Sequence, residues 1–313
     1  MNILYAAKSD EWEAYKTLLT ETLDANGFSD FKIFNENLYK SHDIDFIIYA
    51  PRKDIIYDFS EYKNLKAIFS LWAGVETIIE NKTIKVPVVK MADEGLIIGM
   101  TQWCIAHVLR YHLNLDEYIQ IQNGSWNFNK NQLLPHERNI SVLGLGNIGM
   151  HVAKSIQNLG FNVKGWATQD KREDKLKCLY GEQGLKDALI DADIVVCLLP
   201  ETRDTINLFS SDRFKYFKKG AKIINAGRGS LINETELLNS IKSGRISNAT
   251  LDVFNEEPLP RDHPFWQNEK ITVTPHIAAV SRPDTCVNSI VSNIIRYNSG
   301  EKLLGTVNLK KGY

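Results

Sequence analysis

The chain is short of the features that mark secreted, membrane-bound or nucleic-acid-binding proteins. Only four cysteines occur in 313 residues, Cys104, Cys178, Cys197 and Cys286, and their wide spacing forms no paired metal-ligand or redox motif. Buried free thiols are the expected state, because cysteine often packs as a small hydrophobe, and no metal site is expected. The stretch Met1 to Lys8 lacks the basic run and long apolar run of a signal peptide. Nowhere do about 18 apolar residues follow one another, so a cytoplasmic protein without a membrane span is expected. An excess of one charge is missing too: 37 Lys+Arg face 38 Asp+Glu, a formal net charge of -1. That balance provides no global field for nucleic acid or an anionic membrane and points to small-molecule partners. There are no short repeats, low-complexity tracts or charge blocks.

What is present is an ordinary globular composition, 43% hydrophobic and 24% charged, on a chain long enough for two domains of about 100 to 200 residues. Short apolar runs alternate with longer amphipathic stretches from the start: Ile3 to Ala6, then Glu11 to Leu23, then Phe31 to Phe34, Phe46 to Ala50, Ala67 to Leu71 and Val86 to Val89. This rhythm reads as βαβ units around a parallel sheet, five strands in the first 90 residues or so. From about Gly99 to Gln122 a long presumed helix is apolar on nearly all sides, which predicts cover on more than one face. Either it is wedged between two domains or it forms a homodimer interface, and both can hold together. A second βα series begins at Asn139, with strands predicted at 140–143, 162–166, 194–198, 222–225, 249–252 and 271–274. Six strands make a full dinucleotide-binding sheet, and the fold class is α/β with two doubly wound parallel-sheet domains. A helical tail runs from Arg282 to Asn298, with a natural place back across the first domain.

Gly144, Gly146 and Gly149 stand in GxGxxG spacing after a strand and before the helix predicted from Met150 to Leu159. The first glycine permits a tight turn, the second lets the backbone approach a pyrophosphate and the third lets helix and strand pack closely. Helix N–H groups, those of Asn147 and Ile148 among them, then aim at phosphate. Roughly 20 residues further on, where an acid would take the ribose hydroxyls of NAD, the chain has Ala167, Thr168 and Gln169. Asp170 comes late and is followed at once by Lys171 and Arg172, so this polar and basic loop suits a 2′-phosphate. NADP(H) is the preferred cofactor and NAD(H) remains possible, with Asp170 on the ribose and the two basic residues merely solvated.

Three polar residues fall at predicted strand ends in the second half: Arg228 in Asn225-Ala-Gly-Arg-Gly-Ser230, Glu257 in Asn255-Glu-Glu-Pro258, and His276 in Thr274-Pro-His276. Ligands of open α/β sheets bind outside the carboxyl ends of the strands, which directs all three to one crevice. Their chemistry suits reduction of a 2-keto acid. An arginine fork grips a carboxylate and polarises the neighbouring carbonyl, and a histidinium donates the proton that the carbonyl oxygen needs. A glutamate on the far imidazole nitrogen fixes the ring and favours its charged form.

The joint pattern resembles the D-2-hydroxyacid dehydrogenase family. It runs from Ser70-Leu-Trp-Ala-Gly-Val-Glu76 through the glycine turn, Ala192 to Pro200, Asn225 to Gly229, Asp252-Val-Phe254 and Pro275-His276. The finer details at 72–75, 255–260 and Ser281-Arg-Pro283 look like the glyoxylate/hydroxypyruvate reductase A branch. The resemblance implies that Arg228 binds the substrate carboxylate or carbonyl and that His276, partnered by Glu257, is the acid/base. It also implies a substrate loop at Trp72, Ala73, Gly74 and Val75, cofactor contacts at Leu199, Pro200 and Ala226, and contact of Asp252 with the nicotinamide carboxamide. A Rossmann cofactor domain, 99–279, would be inserted into a flavodoxin-like substrate domain formed by 1–98 and 280–313. Glu76 departs from the family's usual Asp, a modest change. Trp126, in the segment Asn123 to Gln132, is a candidate to close over the substrate, against ordinary loop packing. Fold alone does not fix function, so a cofactor-sensing regulator and a dehydrogenase of larger keto acids stay open as alternatives.

Overall fold

The computed structural model describes residues 1–7, 9–35, 39–51, 56–121, 124, 126 and 132–308. The chain divides into two compact units, one built from Met1–Leu96 and Val280–Tyr313 and the other from Ile97–Ala279. Among the described residues no helix is long and apolar enough to cross a membrane.

In the first unit the elements are β1 (Asn2–Ala6), α1 (Trp12–Ala25), β2 (Lys32–Asn35), β3 (Phe46–Tyr49), β4 (Ala67–Ser70), α2 (Glu76–Ile79) and β5 (Val88–Val89). The five strands pair in parallel in the order β2-β1-β3-β4-β5, the flavodoxin-like winding. The sequence signal is the one that doubly covered strands produce: every residue of β3 and β4 is buried, so they read as unbroken apolar runs without alternation. The C-terminal helix, Pro283–Asn298, returns to this unit and packs against α1, and Tyr297 sets its ring edge-on to Phe46 at 5.5 Å.

The second unit holds α3 from Ile97 onward (full span Glu94–His112), α4 (Leu115–Gln120), β6 (Asn139–Leu143), α5 (Asn147–Asn158), β7 (Asn162–Ala167), β8 (Lys177–Tyr180), α6 (Gly181–Leu189), β9 (Ile194–Cys197), α7 (Ser211–Phe214), β10 (Ala221–Asn225), α8 (Glu234–Lys242), β11 (Ile246–Leu251) and β12 (Ile271–Val273). Its order, β12-β11-β10-β9-β6-β7-β8, is the doubly wound dinucleotide-binding arrangement with one strand added at the β12 edge. Seven strands replace the six expected. The unforeseen one, β8, is a four-residue edge strand with no fully buried residue, too short and too wet to carry a periodic signal.

The single long helix expected over 99–122 is corrected to two. It starts at Glu94 and stops at His112, because Asn114 takes a left-handed conformation (φ 52°) that turns the chain into α4. Its apolar character is used on one flank, where Cys104, Val108 and Tyr111 join the core of β6, β7 and α5.

Candidate active site

The glycine turn is built by close approach. A Cβ on Gly149 would lie 1.8 Å from the Gly144 carbonyl oxygen, so α5 can sit this near β6 only with glycine there. Gly146 is the opposite case, with nothing within 4 Å of a Cβ placed on it. That open space fronts the start of α5, whose cap has no side-chain hydrogen bond and whose first turn has no acidic residue. The amide of Met150 closes onto the Gly146 carbonyl at 2.9 Å, leaving the preceding helix amides, at Asn147 and Ile148, without an intrahelical partner. The result is a bare, positively polarised cradle where the strand order reverses between β6 and β9.

Beside it, Thr168, Gln169, Asp170, Lys171 and Arg172 all lie exposed just past β7. Arg172 keeps 93% of its side chain in solvent, with Nε 3.8 Å from Asp170 Oδ2. On the other flank Leu199 is buried and Pro200 half-buried after β9, and Ala226 is buried after β10.

Arg228 is set by its neighbours. The fully buried Asn225 donates from Nδ2 to the Arg228 carbonyl (2.9 Å) and accepts the Gly227 amide on Oδ1 (3.1 Å), which ties the turn into a loop. Gly229 packs so tightly that an added Cβ would stand 2.0 Å from the Phe254 carbonyl carbon. Arg228 Nη1 donates to the Gly227 carbonyl at 2.6 Å, and the Ser230 hydroxyl donates to Glu201.

Parallel pairing puts Asn225, Leu251 and Val273 in register, so the segments carrying Arg228, Asp252 and His276 leave three consecutive strands at the same edge. His276 Nδ1 lies 2.7 Å from Glu257 Oε2, and the other oxygen, Oε1, accepts the Phe254 amide at 2.9 Å. The ring is 52% exposed and the glutamate side chain 35%, so the far imidazole nitrogen is free to meet a ligand. The backbone of His276 is left-handed (φ 54°), a conformation that costs a non-glycine residue about 1–2 kcal/mol. Asp252, 1% exposed, offsets it. Its Oδ1 accepts from Thr274 Oγ1 (2.6 Å) and the Ile277 amide (2.9 Å), and its Oδ2 accepts from the Ala278 amide (2.9 Å). With three donors already in place, the carboxylate has at most about one lone-pair site left for a ligand.

In the first unit the loop of Trp72, Ala73, Gly74 and Val75 follows β4. Ser70 Oγ donates to the Trp72 carbonyl (3.0 Å) and accepts the Trp72 amide (3.1 Å), and Met91 N–H also donates to that carbonyl (3.1 Å). Trp72 is exposed and Val75 buried. Trp126 is 99% exposed, and most of the segment 123–132 expected to accompany it lies outside the described residues. Cys104, Cys197 and Cys286 are buried free thiols, as the composition suggested, while Cys178 is only half-buried on β8. Residues that the motifs did not single out are Thr274, Asn225, Glu201 and Ser230. For Thr274, Glu201 and Ser230 the signal is spatial, since they bond to a neighbouring loop, whereas Asn225 bonds within its own turn.

Residues 104–278 match the family model described as D-isomer specific 2-hydroxyacid dehydrogenase, NAD binding domain. The chain belongs to that family. It is 36% identical over 277 residues to a glyoxylate/hydroxypyruvate reductase A of Photorhabdus laumondii, covering 85% of this chain and 87% of the relative. Among solved structures, a D-isomer specific 2-hydroxyacid dehydrogenase of Xanthobacter autotrophicus Py2 in complex with NADPH and MES superposes with a TM-score of 0.91 at 30% identity, covering 100% of this chain and 99% of that one. An NADPH-dependent glyoxylate/hydroxypyruvate reductase of Sinorhizobium meliloti in complex with NADP and sulfate gives 0.86 at 27% identity, with the same coverage.

Proposed function

We propose that this protein reduces a small 2-keto acid, glyoxylate or hydroxypyruvate, to the 2-hydroxy acid with NADPH. The observation that carries the reading is the 2.7 Å contact of His276 with Glu257 at the same sheet edge as Arg228 and the bare glycine turn. Relatives named for this activity, at up to 36% identity in those compared, support it.

The chain's own residues fit a dinucleotide: the open space at Gly146 and the uncapped start of α5 suit a pyrophosphate. The exposed Thr168, Lys171 and Arg172 suit a 2′-phosphate, which favours NADP(H) over NAD(H). When bound, the dihydronicotinamide supplies a hydride to the carbonyl carbon. Arg228 grips the substrate carboxylate and draws electron density toward the carbonyl oxygen. His276, held at Nδ1 by Glu257, donates the proton from Nε2 to that oxygen, so carbon gains the hydride and oxygen the proton. We read the first unit as the substrate domain, with the backbone amides of 73–75 as candidate carboxylate donors, and 97–279 as the cofactor domain.

A homodimer through α3 and α4 and a cytoplasmic location complete the proposal. Leu115, Ile119 and Ile121 are exposed there, as expected of a face that a second copy covers. The test is turnover of a panel of 2-keto acids with NADPH and with NADH, read as loss of the reduced coenzyme. Reduction of glyoxylate or hydroxypyruvate with preference for NADPH is expected. No reduction of any short keto acid with either coenzyme would sink the proposal.

A further inference from the structure

We infer that Thr274 and Asp252 are positioning residues for the proton donor, with the Thr274 hydroxyl completing the donor set that locks the turn carrying His276. The inference rests on His276 being the acid/base, as proposed above. The segment leaving β11 grips His276 at two levels. Glu257 holds the ring at Nδ1 (2.7 Å), and Asp252 holds the backbone, its carbonyl accepting the His276 amide at 2.9 Å and its carboxylate accepting the amides of the next two residues. Thr274 enters from the other side. Its amide pairs with the Leu251 carbonyl (3.0 Å), which sets it in register opposite Asp252, and its carbonyl accepts the His276 amide (3.0 Å).

Thr274 Oγ1 to Asp252 Oδ1, at 2.6 Å, is the shortest of the three bonds on that carboxylate. A buried carboxylate with two donors in place of three can swing, and the left-handed residue above it would swing with it. The imidazole would then keep its chemistry but lose its aim. Coenzyme affinity, set mainly by the glycine turn, would respond far less than the rate even if Asp252 also meets the nicotinamide.

The experiment compares Thr274→Val, which exchanges the hydroxyl for a methyl at nearly equal volume, with Thr274→Ser, which restores the donor. The valine variant is expected to lose about 10- to 100-fold in kcat, with a much smaller change in the dissociation constant for NADPH measured by fluorescence titration, and the serine variant to recover most of the rate. Reaction of the coenzyme-free protein with diethyl pyrocarbonate provides a readout without turnover. The portion of labelling lost in His276→Ala belongs to His276, and it should proceed faster in Thr274→Val. Thr274→Ala carries the test should the valine variant not fold. Wild-type kcat and labelling in the valine variant, or a serine variant as impaired as the valine one, would overturn the inference. An unmutated protein that reduces no keto acid would defeat the proposed function, and the labelling comparison would still decide whether Thr274 positions the ring.

Discussion

The turns at the carboxyl edge of one sheet are built on two opposite principles. The turn of Gly144 to Gly149 is almost bare: no side chain caps α5, no acid enters its first turn, and the space at Gly146 is open. The turns that carry Arg228 and His276 are crowded with bonds, from Asn225, Glu201, Asp252, Thr274 and Glu257. A site that recognises an anion by backbone amides must leave them unspent, whereas a site that delivers a proton must fix one ring and so spends neighbouring hydrogen bonds on holding it.

The largest expected effect separates the two. His276→Ala should lower kcat for keto-acid reduction by about 10²- to 10⁴-fold and leave NADPH binding intact, checked by steady-state kinetics beside a coenzyme titration. A matching loss of coenzyme affinity would mean that the turns are not independent.

Glycines sharpen the contrast next. Gly149→Ala forces a Cβ onto the Gly144 carbonyl and should cost about 1–3 kcal/mol of stability or more, seen as a lower denaturation midpoint. Gly146→Ala meets no protein atom, so its midpoint should stay at the wild-type value while NADPH binds more weakly. Equal destabilisation in both variants would contradict the open cradle.

A smaller effect is expected from removing Lys171 and Arg172 together. The ratio of kcat/KM for NADPH over NADH should drop by about 10-fold or more, the scale of one or two charge-assisted hydrogen bonds. An unchanged ratio would assign the pair to solvent and leave Asp170 to a ribose.

The smallest is a pH effect on stability away from both turns. Burial, and then the Arg110 charge, push His107 down from 6.5 to about 4. Between those values the unfolded chain binds a proton that the folded one refuses, so stability is complete above about pH 6.5 and declines as pH falls toward 4. Thermal melts of the unmutated chain and of His107→Asn should converge in that window. Parallel pH profiles would refute the assignment.

Much of the first turn was legible in the residues themselves, because its function lies in glycine spacing and in what is absent. The strands were legible for a similar reason: doubly covered parallel strands such as Phe46–Tyr49 are apolar throughout. Less legible was the break at Asn114, where one left-handed residue ends a helix whose apolar pattern continues past it. The edge strand β8 escaped because edge strands need no buried face. Asp252 was legible as a site residue, though its carboxylate proves to serve the chain's own 274–278 turn before any ligand.

By itself the order of residues determined two parallel sheets, the glycine turn and the identity of the three polar groups at strand ends, since each follows from local periodicity, steric size or chemical type. The pairing of Glu257 with His276 was implied by the family resemblance, and Asn225 ties down its own loop by bonds two and three residues away; only the tertiary structure decided that Thr274 and Asp252 brace a left-handed histidine. The Thr274–Asp252 bond joins segments that parallel pairing brings level, and register between strands depends on the whole sheet rather than on any stretch of chain.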